Sequence, residues 1–351
     1  MKVIELASVL AGPSVGMFFA ELGARVLKIE NKKTAGDVTR SWKLSLEDPE
    51  NSISAYYASV NYHKEVIFLD LNERADKEWL YNEIKDADIL IANYRQKSAM
   101  KLGVDYQSLK VLNPKLIYGN ISGFGEDSDR VAFDVVLQAE SGFMYMNGQP
   151  DGPATKMPVA LIDVLAAHQL KEGLLYALWQ REISGAGAYV SVSLIEAALS
   201  ALSNQASNWL MAGHLPQRMG SKHPNIAPYG EFFSTKDGKQ IVLAVGNDHQ
   251  FTNLCKILNV FHIAENIKFA DNFSRIKHRN ELELELEKAF FNFDAKYLLE
   301  EAEKMAVPLG LIRNMKEVFD LQIANELILD ETIEGQETKR LKSLIFKYNK
   351  Q

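Results

Sequence analysis

Two aspartates could do chemistry by their placement: Asp163 in PVALIDVLAAHQ (158–169) and Asp134 in AFDVVLQAESG (132–142). Each sits just before a helix-like run, where an aspartate oxygen can accept the free N–H groups of a helix start. Asp163 also has apolar residues on both sides, and a carboxylate in such a setting can serve as a covalent nucleophile. Spacing alone permits both roles. A basic stretch, NYRQKSAMKLG (93–103), carries Arg95, Lys97 and Lys101 directly after a predicted strand. Loops at the carboxyl ends of parallel strands are where open α/β sheets bind ligands, and cations there suit phosphate groups. Taken by spacing, a solvated helix start with scattered lysines explains them as well. The segment 2–30 reads strand–turn–helix–strand and ends on Glu30, as a dinucleotide-binding unit would. Its turn, ASVLAGPS, lacks the three glycines that bring backbone close to a pyrophosphate, so a generic α/β turn is the better reading.

Other chemistries are excluded. The seven histidines (63, 168, 214, 223, 249, 262, 278) show no zinc-site spacing, so no metal is expected. Cys255, the single cysteine, rules out an internal disulfide and fits a reducing compartment. Gly-x-Ser-x-Gly is absent, and SGAGAYVSVS (184–193) lacks the Lys-Ser/Thr of a P-loop. A net charge of −7 argues against a nucleic-acid partner. The opening MKVIELASVL reads as a strand rather than a signal peptide, and no apolar run approaches the roughly 20 residues of a membrane span. A cytoplasmic protein with no membrane partner is expected.

These candidates need elements to hold them. Residues 2–6, 25–30, 65–71, 87–93 and 115–122 read as strands, and 11–24, 72–87 and 105–114 as helices. Such alternation predicts an α/β fold with a parallel sheet covered by helices. Residues 164–182 and 190–212 read as two long apolar-faced helices separated by the small residues of 184–190. A change of style at 218–248, with prolines and then KDG between two strand-like runs, reads as a linker feeding a hairpin. The stretch 278–305 reads as helix with one charged face.

Beyond single motifs, the chain resembles the family III CoA-transferases, the group holding formyl-CoA transferase, carnitine CoA-transferase and 2-methylacyl-CoA racemase. The resemblance runs from residue 3 to about 327 through blocks in order: VIELASVLAGPS, ELGARVLKIE, GDVTR, LDL, IANYR, LGVDYQSL, NPKLIYGNISGFG, FDVVLQAESG, REISGAGAYVSVSLIEAAL, HPNIAPYGEFFSTKDG and AVGNDHQF. It implies a Rossmann-like large domain over 1–212 rejoined by about 318–351, a linker at 213–224, a smaller α+β domain over 225–317, and an interlocked homodimer. It implies a small-molecule acyl-CoA and a carboxylic acid as substrates, with coenzyme A arriving as a thioester and no permanently bound cofactor.

By the same resemblance Asp163 falls on the catalytic aspartate and Asp134 on a supporting acid. The coenzyme would be met by Leu10 and Ala11 in the first turn, by Leu69, Asp70, Leu71 and Asn72 after the third strand, and by Asn93, Tyr94, Arg95 and Lys101 in the basic loop. Asn31, Asn72 and Lys101 replace basic residues common in relatives, and Lys32 or Lys33 is a candidate replacement for the charge missing at Asn31. Racemases of the family have histidine just before the supporting acid. Here the position is Phe133, whose ring cannot move a proton, so transfer is favoured over racemisation. The remaining alternative is a family member that binds CoA with little turnover, for which the shortened loop before Asp134 and the early end at KSLIFKYNKQ give some motive.

Overall fold

The computed structural model describes residues 1–349; the last two residues of the expected C-terminal return lie outside it. The chain divides into two compact units. One comprises Met1–Phe143, Lys156–Asn204 and the chain from Asn325 onward; the other comprises Met144–Thr155 and Gln205–Ala324. Residues 144–155 and 205–212 therefore group with the second unit.

In the first unit, β1 (Lys2–Leu6), β2 (Arg25–Asn31), β3 (Lys64–Leu69), β4 (Ile89–Ala92), β5 (Ile117–Ser122) and β6 (Ala188–Ser193) form one sheet in the order β3-β2-β1-β4-β5-β6. Every pairing is parallel. The expected Rossmann-like α/β fold is present. β4 reads ILIA and is buried throughout, as a strand covered on both faces must be. On one face the helices Ala11–Glu21 and Leu161–Ser184 pack Val15, Phe19, Leu170 and Leu174 against Val3, Val26 and Ile117. On the other face Leu80, Ile84 and Leu109 cover Ile4, Leu27 and Leu90.

Two glycines let the first helix approach this sheet. A Cβ on Gly12 would stand 2.3 Å from the Ala7 Cβ, and one on Gly16 only 1.8 Å from Glu5 Oε2. Bare backbone at these positions admits close packing, which is why the first turn carries glycines without the dinucleotide pattern.

Several sequence expectations are corrected. Residues 190–212 are not one helix: AYVSVS forms β6, and the chain then folds into the helices Leu194–Ser200 and Ser203–Ala212. Alternation of β-branched and small residues favours a strand there, and pairing along β5 decides it. The stretch 278–305 breaks into Arg279–Phe290 and Ala295–Lys304. A further antiparallel hairpin, Ile328–Ile333 with Gln336–Leu341, returns to the first unit.

In the second unit, strands β7 (Tyr229–Ser234), β8 (Gln240–Ala244) and β9 (Leu309–Leu311) make an antiparallel sheet, with the expected hairpin around KDG. Phe233, Leu243, Leu254, Leu286 and Phe290 build its separate core. Among the described residues no helix is long and apolar enough to cross a membrane. No group of three potential metal ligands occurs among them either.

Candidate active site

A cleft of about 200 Å³ opens in the first unit at the carboxyl ends of β1, β4 and β5. β1 and β4 are neighbours in the sheet but not in the chain, so this is the topological switch point where open α/β sheets receive ligands. Ser8–Ala11 follow β1 into the cleft, Asn93, Tyr94 and Arg95 follow β4, and Asp163 enters from the long helix. The sequence-predicted residues Leu10, Ala11, Asn93, Tyr94, Arg95 and Asp163 are thus brought together.

Asp163 is the third residue of the Leu161–Ser184 helix and only 7% exposed. It is not the cap of that helix: the N-cap residue is Ala160, which makes no side-chain capping bond. The capping contact comes from Asp134, whose Oδ1 accepts the Ile162 N–H at 2.7 Å while its Oδ2 accepts from Gln138 Nε2 at 2.6 Å. Gln138 Oε1 in turn accepts the Met157 N–H at 2.8 Å. The two roles open for an aspartate here are therefore divided between two residues. Asp134 accepts one N–H of the helix start, and the Asp163 carboxylate is left with no hydrogen bond or ion pair to any described residue.

That isolation sets its electrostatics. Burial, with repulsion from the Asp134 carboxylate added, pushes the Asp163 carboxyl up to about 7. The positive end of the helix dipole acts in the opposite sense, favouring the anion. Phe133, the residue before Asp134, lines the cleft and is 49% exposed.

The Arg95 side chain lies exposed at the rim, and its guanidinium makes no hydrogen bond or ion pair to any described residue. Arg130 also lines the cleft, lies 3.7 Å over the Phe124 ring and bonds Glu140 at 3.1 Å. Lys97 is engaged by Asp129.

The remaining sequence-predicted residues lie elsewhere. Leu69 and Leu71 are buried in the core of the opposite sheet face. The Asp70 carboxylate is bonded by Asn72 and paired with Lys33 at 2.5 Å, which holds it down at about 2. Lys32 pairs with Asp76 at 2.6 Å, so neither of the two candidate replacement cations is free. Lys101 is exposed on the last turn of the Gln96–Leu102 helix.

One neighbour was missed. Tyr56, half-buried in the Ala55–Ala58 helix, feels Asp163, Asp134 and Asp37; burial first and these charges next push its phenol up to about 12. Trp42 meets it edge to face at 5.2 Å. No local pattern in SAYYASV announces this contact, because it is made only when the loop after β2 folds back.

The family model described as CoA-transferase family III matches residues 1–348. The chain is 38% identical over 325 residues to a succinate–glutarate CoA-transferase of Agrobacterium fabrum, covering 91% of this chain and 80% of that one. It is 34% identical over 325 residues to an acetyl-CoA:oxalate CoA-transferase of Acetobacter aceti, covering 92% and 82%. A crystal structure of a CaiB/BaiF family protein from Brucella suis superposes with a TM-score of 0.83 at 34% identity, over 99% of this chain and 91% of that one.

Proposed function

This chain belongs to CoA-transferase family III, transferring CoA between acyl-CoA and carboxylic acids, and from that premise we propose that Asp163 carries the transfer covalently. The observation that carries the reading is a buried carboxylate, unpartnered within the described chain, opening into a cleft at the sheet's switch point.

The steps balance without any net proton movement. An Asp163 oxygen attacks the thioester carbonyl, the C–S bond breaks, and CoA thiolate leaves a mixed anhydride. The thiolate then attacks Cγ of Asp163, releasing the donor acid and leaving an aspartyl-CoA thioester. The acceptor carboxylate attacks that Cγ to form a second anhydride, and the thiolate returns to the acceptor's acyl carbon, restoring Asp163. Both kinds of intermediate hydrolyse in water, so the burial of Asp163 at the base of the cleft helps protect them. The Asp134 contact holds the helix start from which Asp163 projects.

Short dicarboxylic acids are the proposed substrates. Relatives are named for succinate, glutarate and oxalate. The cleft, at about 200 Å³, lies below the roughly 300–1,000 Å³ of pockets that take a whole drug-sized ligand, and so suits a short acyl group. Arg95, whose guanidinium is unpaired among the described residues, supplies a cation for a second carboxylate. Phe133 offers no base opposite Asp163, which disfavours racemisation. We propose further that the protein is a cytoplasmic homodimer. Tyr176, Trp179 and Ile183 recur along the long helix and stay more than half exposed, as an interface strip would in one protomer.

The test is to incubate the chain with a panel of short acyl-CoAs, add hydroxylamine and map modified peptides by mass spectrometry. A hydroxamate at Asp163, absent from Asp163→Asn, is expected. CoA bound without any label at Asp163 would replace the covalent route by a binding role.

A further inference from the structure

Behind the cleft lies a buried ionic cluster that the transfer chemistry does not use. Lys28, fully buried, donates to Glu5 at 2.9 Å, to Asp37 at 3.2 Å and to the Ala7 carbonyl at 3.0 Å. Lys64, also buried at its side chain, pairs with the other Glu5 oxygen at 2.8 Å and donates to the Pro13 carbonyl at 2.8 Å. Asp37 comes from the GDVTR block. Besides Lys28 it accepts from Thr39 N–H at 3.1 Å and Thr39 Oγ1 at 2.9 Å. Its last partner is the Val9 N–H, which lies 3.3 Å and 3.1 Å from its two oxygens.

Val9 is the unusual member of the turn after β1. Its φ is 72°, in the left-handed region that a β-branched residue rarely occupies. A strained backbone of this kind persists only where its surroundings over-determine it. Here they do: Lys28 holds the Ala7 carbonyl, and Asn93 both accepts the Ser8 N–H at 3.2 Å and donates to the Ser8 carbonyl at 2.9 Å. Asp37 takes the next N–H. Three consecutive residues are thus pinned by side chains from three other parts of the chain. Immediately after them, Leu10 and Ala11 line the cleft beside Asp163, and their N–H groups donate to no described residue.

We propose that Asp37 is a positioning residue for this cleft: by holding Val9 left-handed, it fixes the free Leu10 and Ala11 N–H groups where the sulfur end of coenzyme A, free or acylated, is received. The inference rests on the reading of the cleft given above. Asp37 touches no reacting atom, and its effect passes entirely through the backbone of Val9.

A structural role for the cluster predicts lost stability in Asp37→Asn and nothing that a change at Val9 could mend. The positioning role predicts a specific rescue, since glycine enters the left-handed region without strain. The experiment is calorimetric titration of the whole protein with CoA, alongside thermal melting. Asp37→Asn is expected to bind CoA about tenfold more weakly than the wild type. Asp37→Asn with Val9→Gly is expected to regain most of that affinity while melting as low as the single variant. Equal affinity in Asp37→Asn, or a double variant as weak as the single one, overturns the proposal. Should Asp37→Asn fail to fold, Thr39→Val, which loosens Asp37 but keeps its charge, is expected to weaken binding two- to threefold (roughly a few tenths of a kcal/mol), and unchanged affinity would overturn the proposal. Wild-type protein that binds no CoA removes the reading of the cleft itself, and this control separates the two failures.

Discussion

The first unit buries carboxylates in two ways. Under β1 and β2, Glu5 and Asp37 share Lys28, Glu5 has Lys64 as well, and Glu30 accepts from Arg40 at 2.6 Å and from Tyr57 at 2.7 Å. A short distance along the same sheet edge, Asp163 is buried to a similar degree with no partner among the described residues and a like charge nearby. Removing a carboxylate from water costs free energy in both places. Pairing offsets the cost in the first place and locks the groups into a scaffold. In the second the cost stands, and it leaves a carboxylate whose lone pairs are committed to nothing in the protein.

The sharpest break in this contrast is chemical. Asp163→Asn should lower transfer by at least about 10³-fold, measured as CoA exchange between succinyl-CoA and glutarate, because a carboxamide cannot form the anhydride. A comparable loss from altering any one of the paired carboxylates, at unchanged fold, would erase the distinction.

Stability should respond the other way round. Lys28→Met strips Asp37 of its buried cation and leaves Glu5 with Lys64 alone, and is expected to cost about 3–5 kcal/mol in urea unfolding. Asp163→Asn should instead stabilise, with a pH signature. The folded carboxyl titrates near 7, above its unfolded value, so the folded state holds its proton longer than the unfolded chain does. This contribution to stability is full below about pH 4 and is lost as pH rises through 7. The variant and the wild type should therefore match near pH 4 and diverge by about 2–4 kcal/mol at pH 8. Parallel curves would mean that Asp163 carries no such cost.

A smaller effect sharpens the electrostatic part. kcat/KM should rise with pH along an acid limb centred near 7, as Asp163 ionises in the free protein. Asp134→Asn keeps an oxygen for the Ile162 N–H but removes the repelling charge, so the limb should move down by about one unit. An unmoved limb would assign the elevated titration to burial alone.

Much of this contrast was written locally. The strand–helix rhythm of residues 2–122 is a periodicity signal, and the six-stranded parallel sheet follows it. Asp163 stood out as a lone acid between apolar runs, and the family blocks gave it a role. The paired cluster left a subtler trace: a charged residue in the middle of VIEL and another in VLKIE are out of place in buried strands, and the register sets Glu5 directly beside Lys28. β6 was hidden because AYVSVS is short and abuts a helix, and only its pairing with β5 distinguishes it. The exchange of roles between Asp134 and Asp163 was not legible at all, since it depends on two segments 28 residues apart meeting at one helix start.

The edge-to-face pair of Trp42 and Tyr56 gives the molecule an optical consequence. Indole emission depends on the charges and rings around it, and Trp42 is joined through one aromatic contact to a phenol that feels Asp163. The other three tryptophans, Trp79, Trp179 and Trp209, make no ring contact with Tyr56. Trp42 emission is therefore expected to change with pH as the Asp163 side of Tyr56 gains charge, and that change should be absent from Asp163→Asn.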